Sequence, residues 1–246
     1  MLLENKTMKK KIITGFAMSL LMITGLTNAN AQTDTVKVKS ANLSFDLVSS
    51  YIWRGVQQGT NEPNFQPSLT YGNKFKVGVW GSTNLSSSMK EVDLYATYTI
   101  NDMFSATLTD YNYNFKKSYF EYENKATDHV FEGTLTYAGV KKFPLSVSAN
   151  VMFYGADKKP SDATKNAYST YVEFGYPIIS NLSLFAGLSL FESSTYVTSK
   201  NFQFINVGAK ATKELKFNDK YSLPVYVVLG VNPHAETAFL VAGITL

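Results

Sequence analysis

Apolar side chains recur at every second residue along most of this chain. In "EVDLYATYTI", Val92, Leu94, Ala96, Tyr98 and Ile100 alternate with Glu91, Asp93, Tyr95, Thr97 and Thr99. In "LSVSANVMFY", Leu145, Val147, Ala149, Val151 and Phe153 alternate with Ser146, Ser148, Asn150, Met152 and Tyr154. Successive side chains of a strand point to opposite faces, so this period gives each strand one apolar and one polar face. A convincing helical period is absent outside the N-terminal apolar run. The pattern is all-β.

The alternation predicts about twelve strands, over 42–54, 64–71, 75–82, 91–100, 103–112, 129–138, 145–154, 168–176, 182–191, 202–211, 222–231 and 237–246. Most have the ~9–11 residues that a tilted strand needs to cross a bilayer. Their connections alternate too. "YGNK", "IND", "AGVKKFP" and "PIISN" are tight, whereas "STNLSSSMK", "NFKKSYFEYENKATD", "GADKKPSDATKNA" and "SSTYVTSKN" are longer and polar. Tight turns on one side and long loops on the other predict a transmembrane antiparallel up-and-down β-barrel. "TKELKFNDKY" is long for a turn on the tight side, and "NPHAE" is short for an outer loop. An even strand count leaves both termini on the periplasmic side, and "TAFLVAGITL" alternates up to Leu246, as a closing strand would. Pro67 and Pro224 fall inside predicted strands, where a bulge or a missing ladder bond is expected.

Met8 opens "MKKKIITGFAMSLLMITGLTNANAQ": lysines, a short apolar run, then Ala29-Asn30-Ala31. That reads as a secretory signal over 1–31, with Met8 as the expected start and with Sec-dependent export to a bacterial outer membrane. Residues 32–41 form a periplasmic lead-in, and 42–246 the barrel. Without residues 1–31 the chain holds 19 Lys+Arg against 18 Asp+Glu, a balance of +1 against +4 for the whole. Such a balance gives no support for nucleic-acid binding. The absence of cysteine excludes disulfides and thiolate metal sites; no cofactor or metal is expected.

Aromatic residues on the apolar face collect at strand ends. Phe65 and Tyr71 bracket one strand and Phe131 and Tyr137 another; Tyr98 and Tyr176 end downward strands; Tyr51, Trp53 and Phe153 end upward ones. Two rings of interface anchors are expected from them, in contact with outer-membrane lipid. The opposite parity would line the lumen with Asp46, Lys76, Trp80, Glu91, Asp93, Glu132, Glu173 and Lys210. A Lys or Arg on the lipid face would cost roughly 2–4 kcal/mol near the midplane, and the parity avoids that cost. Gly78 and Gly81 flank Trp80 and are expected to make room for its indole.

Arg54 is the sole arginine, since 22 of the 23 Lys+Arg residues are lysines. It shares its parity with Asp46 and Ser50, opposite Tyr51 and Trp53, and so points into the outer mouth. A planar guanidinium can hold a carboxylate through two hydrogen bonds, which lysine cannot. Glu91, Asp93 and Glu132 begin strands at the same end and are its candidate partners.

"YIWRGVQQ", "PNFQPSLTY", "VGVWGSTN" and "EVDLYATY" resemble the TorF-like family of exported porins. The resemblance is carried by Tyr51, Trp53, Arg54 and Gly55, then Gly78, Trp80, Gly81 and Ser82, then Glu91, Asp93, Leu94 and Tyr95. It covers about the first third of the exported chain, and implies an outer-membrane barrel without catalytic residues. The expected function is a narrow porin for passive diffusion of small solutes, with the long third outer loop as a candidate plug. A non-conducting scaffold or adhesin, using "YNYNFKKSYFEYENK", is the alternative. An outer-membrane hydrolase is disfavoured, because His129 and His234 sit in no recognisable Ser/His/acid constellation.

Overall fold

The computed structural model describes residues 40–113, 116–198, 202–219 and 221–246. The expected signal at 1–31 and most of the expected lead-in at 32–41 lie outside the described residues. Twelve strands close into one barrel. They are β1 (Ser40–Val48), β2 (Asn64–Gly72), β3 (Phe75–Asn84), β4 (Lys90–Thr99), β5 (Phe104–Tyr111), β6 (Val130–Tyr137), β7 (Ser146–Gly155), β8 (Thr170–Ile179), β9 (Leu182–Ser189), β10 (Gln203–Lys216), β11 (Ser222–Asn232) and β12 (Thr237–Thr245). Each pairs antiparallel with its neighbours in the chain, and β1 pairs with β12 through Asp46↔Thr245, Leu47↔Ile244 and Val48↔Gly243.

Closure turns the period of two into an inside and an outside. Leu43, Leu69, Leu108, Leu135, Leu229 and Leu240 are exposed on the outer wall, while Thr70, Asp93, Glu132, Ser148, Asn150 and Asn206 are buried inside. Phe65, Tyr71, Tyr98, Phe153 and Tyr176 are exposed near strand ends. Phe131 and Tyr137 are half-buried at the two ends of β6, their rings beside Phe153 and Phe104 at 6.5 and 5.2 Å.

The first strand departs from expectation. It ends at Val48 and not at residue 54. The chain then bends inward, and Ile52–Trp53 pairs with Val56–Gln57 as a two-rung ribbon. The two residues between, Arg54 (φ 50) and Gly55 (φ 76), are both left-handed. That is the geometry of a two-residue type I′ hairpin turn. The parity of the wall does not extend to a ribbon lying across the lumen. Tyr51 and Trp53 are 4 % and 7 % exposed inside the mouth and are not interface anchors.

Other irregularities have local causes. Between β2 and β3 the ladder skips Gln66 and Pro67 without a change of register, the missing bond a proline imposes. At Pro224 no bulge forms: it pairs with Glu214 on one side and lies just below Val225↔Ile244, the first rung to β12 on the other. "TKELK" is strand and not turn, because β10 stays paired down to Lys216↔Ser222. Register shifts at Phe153 in β7 and at Ile205 in β10 each insert one residue near the outer end. Such bulges re-aim side chains; at the second, Ile205 and Asn206 are consecutive and both buried.

Candidate functional site

The inward ribbon delivers Arg54 to the middle of the outer mouth, where it is 2 % exposed. Its Nη1 donates to Glu132 Oε2 at 2.6 Å and its Nη2 to Glu132 Oε1 at 2.8 Å, a two-point clamp onto β6. Nη1 also donates to the Tyr196 hydroxyl at 2.5 Å, and Nη2 to Asn150 Oδ1 at 2.9 Å. Glu132 accepts further from the Tyr111 hydroxyl at 3.0 Å. The guanidinium carbon lies 4.5 Å from the Trp53 ring centre and 4.7 Å from that of Tyr171. Burying two charges costs several kcal/mol per ion, and this geometry supplies the bidentate pairing, extra acceptors and aromatic faces that offset it.

Backbone fit holds the ribbon as well. A Cβ on Gly55 would stand 1.8 Å from the Ile205 carbonyl oxygen, so only glycine permits this approach. The Ile205 bulge presents that carbonyl. Asn232 Nδ2 donates to the Gly55 carbonyl at 3.2 Å. Ile52, 4 % exposed, packs with Val48, Val228 and Val241 on the inner wall.

Aromatic rings fill the remaining width. Trp53 stacks on Tyr196 at 5.6 Å and meets the edge of Tyr111 at 5.7 Å, and Tyr51 lies 5.5 Å from Trp80. Tyr196 comes from the loop after β9, where a bridge pairs Ser193 with Thr198. Asp157, in the loop after β7, accepts from the Ser169 backbone N–H and from the Ser169 and Thr195 hydroxyls, which ties the two loops together. The occluding groups therefore come from the first and fifth outer loops. The third contributes Tyr113 at its start, and its Lys116, Lys117 and Phe120 are exposed.

The lumen candidates divide into groups. Glu132 joins Arg54. Glu91 and Asp93 are 5 % and 2 % exposed on β4, and Asp93 Oδ1 accepts from the Asn112 backbone N–H at 3.3 Å. Among the described residues neither has a cation within ion-pair distance. Trp80 is buried beneath Tyr51. The neighbouring Gly78 makes room for Tyr95, whose ring a Cβ there would meet at 2.3 Å, and not for Trp80. Glu173 accepts from Tyr171 at 2.5 Å and from Asn206 at 3.1 Å. Asp46 lies in the field of Lys210, whose ammonium sits 4.3 Å from the Tyr226 ring centre. Lys76 is exposed at the start of β3. Tyr111, Asn150, Tyr171 and Asn206 were not singled out from sequence. All four fall on inward faces, Tyr111, Tyr171 and Asn206 near outer strand ends and Asn150 in the middle of β7, and that inward parity is the signal that could have found them. Tyr196 lies in a loop without any periodicity.

The histidines fasten loops. His129 Nδ1 is 2.7 Å from Asp110 Oδ1, and its Nε2 is 2.6 Å from the Tyr119 carbonyl and 3.0 Å from Asn112 Nδ2. Both ring nitrogens are thus engaged without a hydroxyl nucleophile. His234 Nε2 donates to the Val197 carbonyl at 3.1 Å.

Residues 30–223 match a family model described as a bacterial protein of unknown function (Gcw_chp). Among solved structures the chain is similar to a KdgM porin at 9 % identity and a TM-score of 0.46, over 84 % of this chain and 98 % of that one. It is also similar to a KdgM porin in complex with disordered oligogalacturonate, at 12 % identity and a TM-score of 0.45, over 85 % and 98 %. Neither likeness is close enough to carry an argument. No curated protein matches the sequence.

Proposed function

The chain belongs to the Gcw_chp family, and we propose that this member is an exported outer-membrane channel for small solutes, held closed by its first outer loop. The observation that carries the reading is the inverted barrel: leucines outside, and carboxylates, amides and hydroxyls inside. An apolar outer surface of this kind suits lipid, and a polar lumen suits a path for solutes. Export directed by a signal over residues 1–31 and outer-membrane placement of the barrel belong to the same reading. The TorF-like resemblance fits it as well. Its three motifs supply the ribbon (Tyr51, Trp53, Arg54, Gly55), the ring beneath it (Trp80) and the acids beside it (Glu91, Asp93).

Arg54 serves as the latch and Glu132 as its keeper. Solute passes when the ribbon leaves the mouth. The test is planar-bilayer recording of the refolded protein. Wild type is expected to give rare, small steps, and Arg54→Ala to give larger and more frequent ones, because Glu132 then loses its clamp and the ribbon its anchor. Silence from both proteins in bilayers that contain folded barrel would sink the channel reading.

A further inference from the structure

We propose that the closed mouth carries, on its outer face, a binding pocket for an uncharged, hydroxyl-rich ring of about monosaccharide size. It names the solute class of the proposed channel and rests on that reading for its role, though not for binding itself. A cavity of about 210 Å³ lies there, lined by Trp53, Tyr111, Tyr113, Glu91, Gln58 and Thr195 among others. Ligand sites for drug-sized molecules run roughly 300–1,000 Å³, so this one admits a single small ring. Three aromatic residues offer faces to C–H groups, while the amide, hydroxyl and carboxylate offer hydrogen bonds.

Two buried polar atoms select among ligands. Glu91 Oε2 and Trp53 Nε1 have no hydrogen-bond partner among the described residues, and both residues are more than nine-tenths buried. One is an acceptor and the other a donor. A hydroxyl group can donate to the first and accept from the second. An ammonium ion can pair with Glu91 but cannot accept from the indole. A carboxylate can accept from the indole but is repelled by Glu91 and by the neighbouring Asp93. The charge of the single arginine is already paired with Glu132, both its terminal nitrogens are taken by Glu132, Tyr196 and Asn150, and only its Nε has no partner among the described residues.

Only two tryptophans are present, Trp53 and Trp80, so intrinsic emission reports on the mouth. In detergent-folded protein, D-glucose is expected to shift that emission saturably. D-glucuronate and tetramethylammonium at equal ionic strength are expected to leave it unchanged. Tyr113→Ala removes one wall outside the strands and is expected to weaken the glucose titration at least ~10-fold, with circular dichroism confirming the barrel. A glucuronate or tetramethylammonium titration as strong as that of glucose would overturn the proposal, as would an unchanged titration in Tyr113→Ala. Conductance of the same preparation separates the two readings. Steps without glucose binding remove the pocket and leave the channel, whereas binding without steps leaves the pocket and removes the channel.

Discussion

Arg54 and Gly55 act as a pair, one by charge and one by the absence of a side chain. Arg54 ties the ribbon to β6 through Glu132; Gly55 lets the same turn lie against the Ile205 carbonyl. Gly55→Ala leaves every charge in place, yet its Cβ cannot share space with backbone oxygen, and its left-handed φ adds strain. It is expected to unseat the ribbon and reproduce the conductance of Arg54→Ala; bilayer recording of both variants checks this. A wild-type record from Gly55→Ala would mean that the ribbon does not gate. The position and partner class of Arg54 were legible, because a lone guanidinium among lysines points to bidentate pairing with an acid. Trp53 was misplaced by the same reasoning. Parity puts neighbours on opposite sides of a wall, but in a crossing hairpin Trp53 and Arg54 both stay in the lumen.

Strands were far more legible than loops, for a physical reason. From β2 to β9 the alternation is enforced along each wall by an apolar outside and a polar inside, so its limits mark the strands to within a few residues. Tyr51 and Trp53 keep alternating past Val48, and the period alone cannot show that their partner has become Val56–Gln57 and not β12 or β2. The long third loop looked like the plug by length, yet the short ribbon of the first loop reaches the centre. What fixes the loops is individual hydrogen bonding. Asp157, 2 % exposed, gathers Ser169 and Thr195. Burial pushes its carboxyl above its ordinary value, opposed by those same hydrogen bonds. A raised native value means that the folded chain holds this proton more tightly than the unfolded chain. The contribution is therefore full below the ordinary value and is lost as pH rises through the raised one. Asp157→Asn is expected to flatten that part of the slope of melting temperature as pH rises from the ordinary aspartate value, about 4, and an unchanged slope would remove Asp157 from the loop's pH response.

At the scale of the whole molecule, one inversion of polarity accounts for the fold, and it can be probed by the same charge placed on either side of one sheet. Leu69 is 45 % exposed near the middle of β2, and Thr97 on β4 faces the lumen, hydrogen-bonded to Thr107 at 2.9 Å. A lysine at Leu69 must sit in hydrocarbon or bend the wall to escape it, at a cost of roughly 2–4 kcal/mol if near the midplane. A lysine at Thr97 enters a polar lumen and loses one hydroxyl pair, worth about 0.5–1.5 kcal/mol. Reversible unfolding in lipid vesicles is expected to rank Leu69→Lys as the more damaging by about 1–3 kcal/mol, combining the two costs. In conductance the order reverses, since only Thr97→Lys adds a positive charge to the solute path and shifts selectivity toward anions. Equal destabilisation by both variants would mean that the outer wall does not meet lipid, and the leucine belt would then have to be covered by protein.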